Sequence, residues 1–179
     1  MRVIAGALKG RRLRTPTWTG LRPTSDKLRE TLFNILSDRI VGARLLDAYA
    51  GTGAIGIEAL SRGAAHVTFI DSDARALKLI RQNLELCGVS DRYAIIRGRL
   101  ETPPSIAPDS LDLAVLDPPY EESDFAAAIG AAEPLLAPGG LLVLEHASRR
   151  PAPVSVKRLS RVRTVKSGDS ALAFYSRQA

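Results

Sequence analysis

The sequence predicts an α/β fold in which one mostly parallel sheet is covered by helices on both faces. Two observations predict it. From residue 44 to residue 146, short and almost wholly apolar segments alternate with amphipathic helical ones, the pattern of parallel strands buried on both sides. After residue 150 that rhythm stops, and two β-rich segments flank the short turn "SGD", which closes the sheet with an antiparallel edge. Seven strands are expected in the sheet, with a small β-hairpin ahead of it.

The elements follow in order. "RVIA" (2–5) and "RRLR" (11–14) pair across "GALKG", whose glycines at 6 and 10 suit a turn. "TPTWTGLRPT" (15–24) is irregular. "SDKLRETLFNIL" (25–36) sets Leu28, Leu32, Phe33, Ile35 and Leu36 at helical spacing, with Ser25 as N-cap and Lys27, Arg29 and Glu30 mainly outward. The body then reads as a strand at 44–50, a glycine loop and a helix from Ala54, a strand at 65–72, a helix at 73–88, strands at 93–98 and 111–117, a helix at 124–136 and a strand at 139–146. Strands at 154–166 and 170–177 complete it. Residues 1–24 form a basic extension and residues 25–179 one body.

With 179 residues, 45% hydrophobic and 25% charged, the chain suits one globular domain with a sizeable core. The single cysteine, Cys87, excludes an internal disulfide framework and a cysteine-rich metal site, and falls on the buried stripe of a helix. His66 and His146, the only histidines, are too far apart to suggest zinc, so no metal is expected; the strand-end pair Glu145 and His146 is either structural or on the substrate side. The start, "MRVIAGALKGRR", turns basic too soon for a signal peptide, and no apolar stretch reaches the roughly 18 residues of a membrane span. A cytoplasmic protein with no membrane partner is expected.

Charge is segregated. Residues 1–30 hold eight Lys/Arg against two Asp/Glu, residues 31–148 nine against sixteen, and residues 149–179 eight against one. Basic ends that meet in space make a positive face on an acidic body, and such a face attracts nucleic acid.

"DAYAGTGAIG" carries G-x-G-x-x-G at Gly51, Gly53 and Gly56, after a strand and before a helix. Glycines there permit a tight turn and close approach of a ligand to the helix N-terminus. Asp71 ends the next strand, where an acid accepts hydrogen bonds from ribose hydroxyls. A nucleoside-containing cofactor is expected. Asp47, four residues before Gly51, is poor company for a pyrophosphate; it either faces a ligand's ammonium group or caps local backbone amides.

These motifs, with "LDPPY" (116–120), "GALKGRRL" (6–13), "LRPTSDKLRETLFN" (21–34) and "DAYAGTGAIGIEALSRGA" (47–64), resemble the S-adenosylmethionine-dependent methyltransferases of Rossmann-like fold, and among them the bacterial RsmD family. The resemblance covers nearly the whole chain and loosens beyond residue 146. It implies an enzyme that methylates N2 of one guanine in 16S ribosomal RNA, within an assembled or assembling small subunit; a monomer is expected. It places Asp47, Ala50, Gly51, Thr52, Gly53 and Gly56 around the methionine half of the cofactor and Asp71 with Ser72 at the ribose. Arg99 and Leu100 fall where the family places its adenine contacts; an arginine side chain cannot accept a bond from the adenine amino group, so either a backbone carbonyl accepts it or Arg99 points away.

The resemblance makes Asp117, Pro118, Pro119 and Tyr120 catalytic. An exocyclic amine conjugated with its ring is a poor nucleophile. The Asp117 carboxylate and the Pro118 carbonyl would accept its N–H groups and meet the developing positive charge. The prolines fix that carbonyl, and Tyr120 offers a face for the flipped base. Arg2, Lys9, Arg11, Arg12, Arg14, Arg22 and Lys27 at one end, and Arg149 and Arg150 at the other, are the expected RNA contacts. Trp18 either stacks on a base or covers the core. Competing readings are a DNA or RNA adenine-N6 methyltransferase, an RNA-binding protein with a vestigial cofactor fold, and a nicotinamide-dependent oxidoreductase.

Overall fold

The computed structural model describes residues 1–18, 25–102, 105–119 and 124–177. Arg44–Ala48 (β1), His66–Asp71 (β2), Tyr93–Arg97 (β3), Leu111–Leu116 (β4), Leu136–Ala147 (β5), Ser155–Val156 (β6), Leu159–Ser167 (β7) and Ser170–Arg177 (β8) form one sheet in the order β3-β2-β1-β4-β5-β8-β7-β6. The first five strands are parallel, while β8, β7 and β6 pair antiparallel. This is the Rossmann-like methyltransferase fold, with a parallel core and an antiparallel edge. The strand order reverses direction between β1 and β4, which opens a crevice at their carboxyl ends.

Among the described residues the sheet has eight strands, one more than the periodicity predicts. The stretch expected as one strand at 154–166 reverses at Lys157, whose backbone is left-handed (φ 51°) and whose Nζ donates to the Gly130 carbonyl at 2.6 Å. Val156 therefore folds back to pair with Leu159. The helix expected at 124–136 is also shorter. It spans Phe125–Ala132 (α5) and gives way to a 3-10 turn at Glu133–Leu135, because Pro134 has no N–H to continue the ladder.

The two faces of the sheet are covered unequally. On one lie Asp26–Ile35 (α1), Ser37–Ile40 (α2), Ala54–Ser61 (α3) and Ala74–Leu86 (α4), with Leu32, Phe33, Ile57 and Ile80 meeting Leu45, Phe69 and Val115. On the other, α5 packs Phe125 and Ile129 against Leu46, Leu116 and Leu144. Ser25 caps α1 by accepting the Leu28 N–H, as its sequence position predicts. Cys87 is buried in the larger core, and burial pushes its thiol pKa up. No helix among the described residues is long and apolar enough to cross a membrane.

The N-terminal hairpin forms as expected, with Arg2 bridged to Arg12 and the Val3 N–H donating to the Arg11 carbonyl at 2.9 Å. It is bolted to the body rather than appended to it. Val3 and Leu13 belong to the larger core. The buried Glu58 carboxylate accepts the N–H groups of Ile4 and Ala5 at 2.7 and 3.0 Å, and Ser61 Oγ accepts that of Leu8. This docking corrects the outward placement of Arg29. The hairpin covers that side of α1, so Arg29 is fully buried, donating from Nη2 to the Arg2 carbonyl and to Asp26 Oδ1 at 2.8 and 2.7 Å.

Candidate active site

Beyond Ala48 the chain turns sharply through left-handed backbone at Tyr49 (φ 59°), Gly51 (54°) and Gly53 (74°). Gly53 then caps α3, and the whole of 50–60 is buried. The third glycine of the motif has a separate duty. A Cβ on Gly56 would stand 2.2 Å from Phe69 Cε1 and 2.7 Å from Val67 Cγ1, so its task is the close approach of α3 to β2. Gly56→Ala should cost about 1–3 kcal/mol of stability through overpacking, measured as a melting temperature several degrees lower.

Two carboxylates sit at this loop. Asp47 Oδ2 accepts the Gly56 N–H at 2.8 Å. Burial drives its pKa from 3.8 up to about 8, the Gly56 bond working against this and the nearby Asp71 charge with it. Asp71 accepts the Gly51 N–H on Oδ2 and the Asp73 N–H on Oδ1, both at 2.9 Å. Neither acid forms an ion pair with Lys or Arg among the described residues. Asp47 thus does cap a backbone amide, and it remains a carboxyl without a counter-cation. Carboxylates with spare acceptor positions suit a ligand that brings an ammonium group, hydroxyls and a sulfonium, and they repel a pyrophosphate. The donor and acceptor chemistry of the loop therefore fits S-adenosylmethionine. Ala50 is fixed by its N–H to the Ile70 carbonyl. Ser72 is exposed beside Asp71.

The two residues expected on the adenine side differ in burial. Leu100 is buried, but the Arg99 side chain is exposed and its carbonyl already accepts from Thr102 N and Oγ1. Glu101, which motif spacing did not single out, accepts the Tyr49 hydroxyl and so spans the cleft from the β3 exit to the glycine loop. Burial, then this bond, pushes the Tyr49 hydroxyl pKa up. Trp18 neither seals the core nor stands free. It is half-buried, with the Arg75 guanidinium 5.1 Å from its ring centre and Arg75 in turn held by Asp73.

The tetrad begins where β4 leaves the sheet. The Asp117 N–H donates to the Ala48 carbonyl at 3.3 Å, so the acid is knitted to the mouth of the glycine loop. Asp117 is half-buried, Pro118 buried and Pro119 exposed, and Tyr120 lies outside the described residues. Leu116 pairs with Leu144, which puts the buried Glu145 level with Asp117 on the neighbouring strand and on the same face. His146 is buried and turned toward its own turn, Nδ1 lying 3.0 and 2.8 Å from the carbonyl oxygens of Ala147 and Arg150. Its ring meets Phe125 edge-on, and the Arg150 guanidinium covers Phe125 at 4.2 Å. Arg149 and Arg150 therefore stand at the same end of the sheet as the tetrad. His66 opens β2 at the far end.

The basic residues divide into two kinds. Arg2, Lys9, Arg11, Arg12 and Arg14 on the hairpin and Lys27 on α1 are exposed and enter no ion pair among the described residues; Arg22 lies outside the described residues. At the other terminus Arg158 pairs with Glu133, Lys157 holds Gly130, Arg161 donates to the Ala152 carbonyl and Arg177 pairs with Asp109. These cations brace α5 and the antiparallel edge, on the side of the sheet away from the hairpin. A cavity of about 270 Å³, lined by Arg39, Val41, Asp112 and Gly139 among others, lies at the opposite ends of β1 and β4 from Asp47 and Asp117 and belongs to neither group.

Comparison with known proteins agrees with this fold. The sequence matches the family described as "Conserved hypothetical protein 95" over residues 1–176. It is 34% identical to "Putative rRNA methyltransferase YlbH" of Bacillus subtilis over 99% of this chain and 100% of that protein. It is 50% identical to "Ribosomal RNA small subunit methyltransferase D" of Escherichia coli over 84 residues, 47% of this chain and 42% of that protein. A solved structure described as "Putative methyltransferase yhhF from Escherichia coli" matches with a TM-score of 0.86 at 32% identity, over 100% of this chain and 98% of that one.

Proposed function

The chain belongs to the family described as Conserved hypothetical protein 95, and from that premise we propose that it is an S-adenosylmethionine-dependent RNA methyltransferase acting on the exocyclic N2 amine of a guanine in 16S ribosomal RNA. The observation that carries the reaction class is the hydrogen bond from Asp117 N–H to the Ala48 carbonyl. It joins an acceptor for a conjugated amine to a cofactor loop whose carboxylates lack a cation. The substrate class rests on the unpaired cations of the hairpin, and on the names carried by the Bacillus subtilis and Escherichia coli relatives.

Asp47 would meet the ammonium group of the cofactor, the loop from Ala50 to Gly53 its methionine half, and Asp71 with Ser72 its ribose. When bound, S-adenosylmethionine supplies a methyl group on a positively charged sulfur. The residues of this chain do the rest. Asp117 and the Pro118 carbonyl accept the two amine hydrogens and aim the nitrogen lone pair. As that nitrogen turns positive, the Asp117 carboxylate stabilises it. The proton then passes to Asp117 or to solvent. Tyr120 would stack on the flipped base. Arg2, Lys9, Arg11, Arg12, Arg14 and Lys27 would hold phosphates, with Arg149 and Arg150 at the rim of the base site.

Labelled S-adenosylmethionine, incubated with small ribosomal subunits that lack the modification, tests the assignment. N2-methylguanosine in the digested RNA is the expected product. Label in N6-methyladenosine, or none, defeats it. RNA affinity should also fall steeply with salt, with a log–log slope of magnitude roughly 0.7 to 0.9 per phosphate neutralised; a flat response would remove the hairpin from the RNA surface.

A further inference from the structure

We propose that Asn83 is a positioning residue that sets the cofactor loop by the seat of the N-terminal hairpin. Asn83 lies in the last turn of α4, outside every motif of the loop and the tetrad, and is fully buried. Its Oδ1 accepts the Arg14 N–H at 2.8 Å. Its Nδ2 donates to the Arg14 carbonyl at 3.1 Å and to the Thr52 carbonyl at 2.9 Å. Both amide hydrogens and the oxygen are thus engaged, and only a primary amide offers that set. Thr52 Oγ1 also points to Met1 Sδ at 3.7 Å. The residue between the two left-handed glycines is therefore held toward the hairpin through both its carbonyl and its hydroxyl. Asp71 holds the Gly51 N–H and the Ala50 carbonyl accepts the Gly53 N–H; between those two glycines, which tolerate many backbone conformations, Asn83 fixes the Thr52 carbonyl from outside the loop.

The hairpin has other attachments that do not reach the loop, through Glu58, Arg29 and Ser61. Ser61, in the last turn of α3, accepts from Leu8 N–H and donates to the Ala5 carbonyl. Asn83 and Ser61 differ in consequence. Ser61 seats the hairpin alone, whereas Asn83 joins the hairpin to the loop. The joint is at Arg14, whose side chain is exposed and belongs to the proposed RNA surface. The RNA half of the inference rests on the function proposed above; the cofactor half does not.

The test compares wild type, Asn83→Asp and Ser61→Ala in the full chain. S-adenosylhomocysteine affinity is measured by calorimetry and stem-loop RNA affinity by fluorescence anisotropy, both well below melting temperatures taken from circular dichroism. Asn83→Asp keeps the size but turns an oxygen toward two carbonyl oxygens. It should weaken both ligands roughly tenfold, the scale of a buried group left unpaired. Ser61→Ala should weaken RNA alone. Asn83→Ser retains a single donor; it should show an intermediate loss, and it replaces Asn83→Asp if that variant does not fold. Asn83 variants that melt earlier yet bind S-adenosylhomocysteine like wild type would overturn the inference, since a packing role predicts that result. Wild type that binds no RNA, with the cofactor affinity of Asn83→Asp still reduced, would fell the RNA reading and leave the positioning role supported.

Discussion

Asp117→Ala should lower turnover by at least roughly a hundred- to a thousand-fold, the loss typical of one preorganised electrostatic contact. It should leave S-adenosylhomocysteine affinity within about twofold of wild type. The two halves of this expectation follow from different atoms. The contact of Asp117 with the cofactor loop runs through its backbone N–H to the Ala48 carbonyl, which alanine retains. The side chain is half-buried at the carboxyl end of β4, where the proposed amine would approach. Asp117→Asn sharpens the result. An amide is nearly isosteric and still offers an oxygen, but carries no charge to meet the developing cation, so kcat should fall with little change in KM. Single-turnover methyl transfer and calorimetry measure the two quantities separately. Loss of cofactor binding in Asp117→Ala would instead make the tetrad part of the cofactor site.

What the sequence could and could not foretell divides along a physical line. Features set by local chemistry were legible. The Ser25 cap, the apolar strands and the glycine loop depend on neighbours a few residues away or on simple periodicity. Features set by what docks on an element were not. Arg29 reads as an outward residue because its position on α1 is polar, yet the hairpin covers it and gives its Nη2 two partners. Glu58, Ser61 and Asn83 read as unremarkable helix polar residues, and only the tertiary structure shows that each holds backbone groups of the first fourteen residues. The basic ends show the same limit. Excesses of positive charge at both termini suggest a shared face, but Lys157, Arg158, Arg161 and Arg177 find Glu133, Asp109 and backbone carbonyls, while the cations of the hairpin enter no ion pair among the described residues. Glu101 could have been anticipated as the acid nearest the expected adenine contacts, two residues beyond Arg99; its bond to Tyr49 depends on the left-handed turn at that tyrosine.

Cofactor binding should release a proton from Asp47, and its affinity should rise with pH. In the folded protein burial holds this carboxyl at about 8, against 3.8 in the unfolded chain. Between those values the folded state keeps a proton that the unfolded state has lost. The stability of the ligand-free protein therefore declines as pH rises from about 4 toward about 8, and the decline stops beyond. A ligand that brings an ammonium group to Asp47 favours the ionised form, so its binding must first expel the proton when the pH is below about 8. The affinity for S-adenosylhomocysteine should then increase by up to roughly tenfold per pH unit below that value and level off above it. The calorimetric enthalpy should vary with the ionisation heat of the buffer, reporting the released proton directly. Asp47→Asn should remove both dependences and bind more weakly on the plateau, because the amide has no charge to offer. A flat affinity profile in the wild type, with no buffer dependence of the enthalpy, would mean that Asp47 does not change ionisation on binding, and its role would reduce to capping the Gly56 N–H.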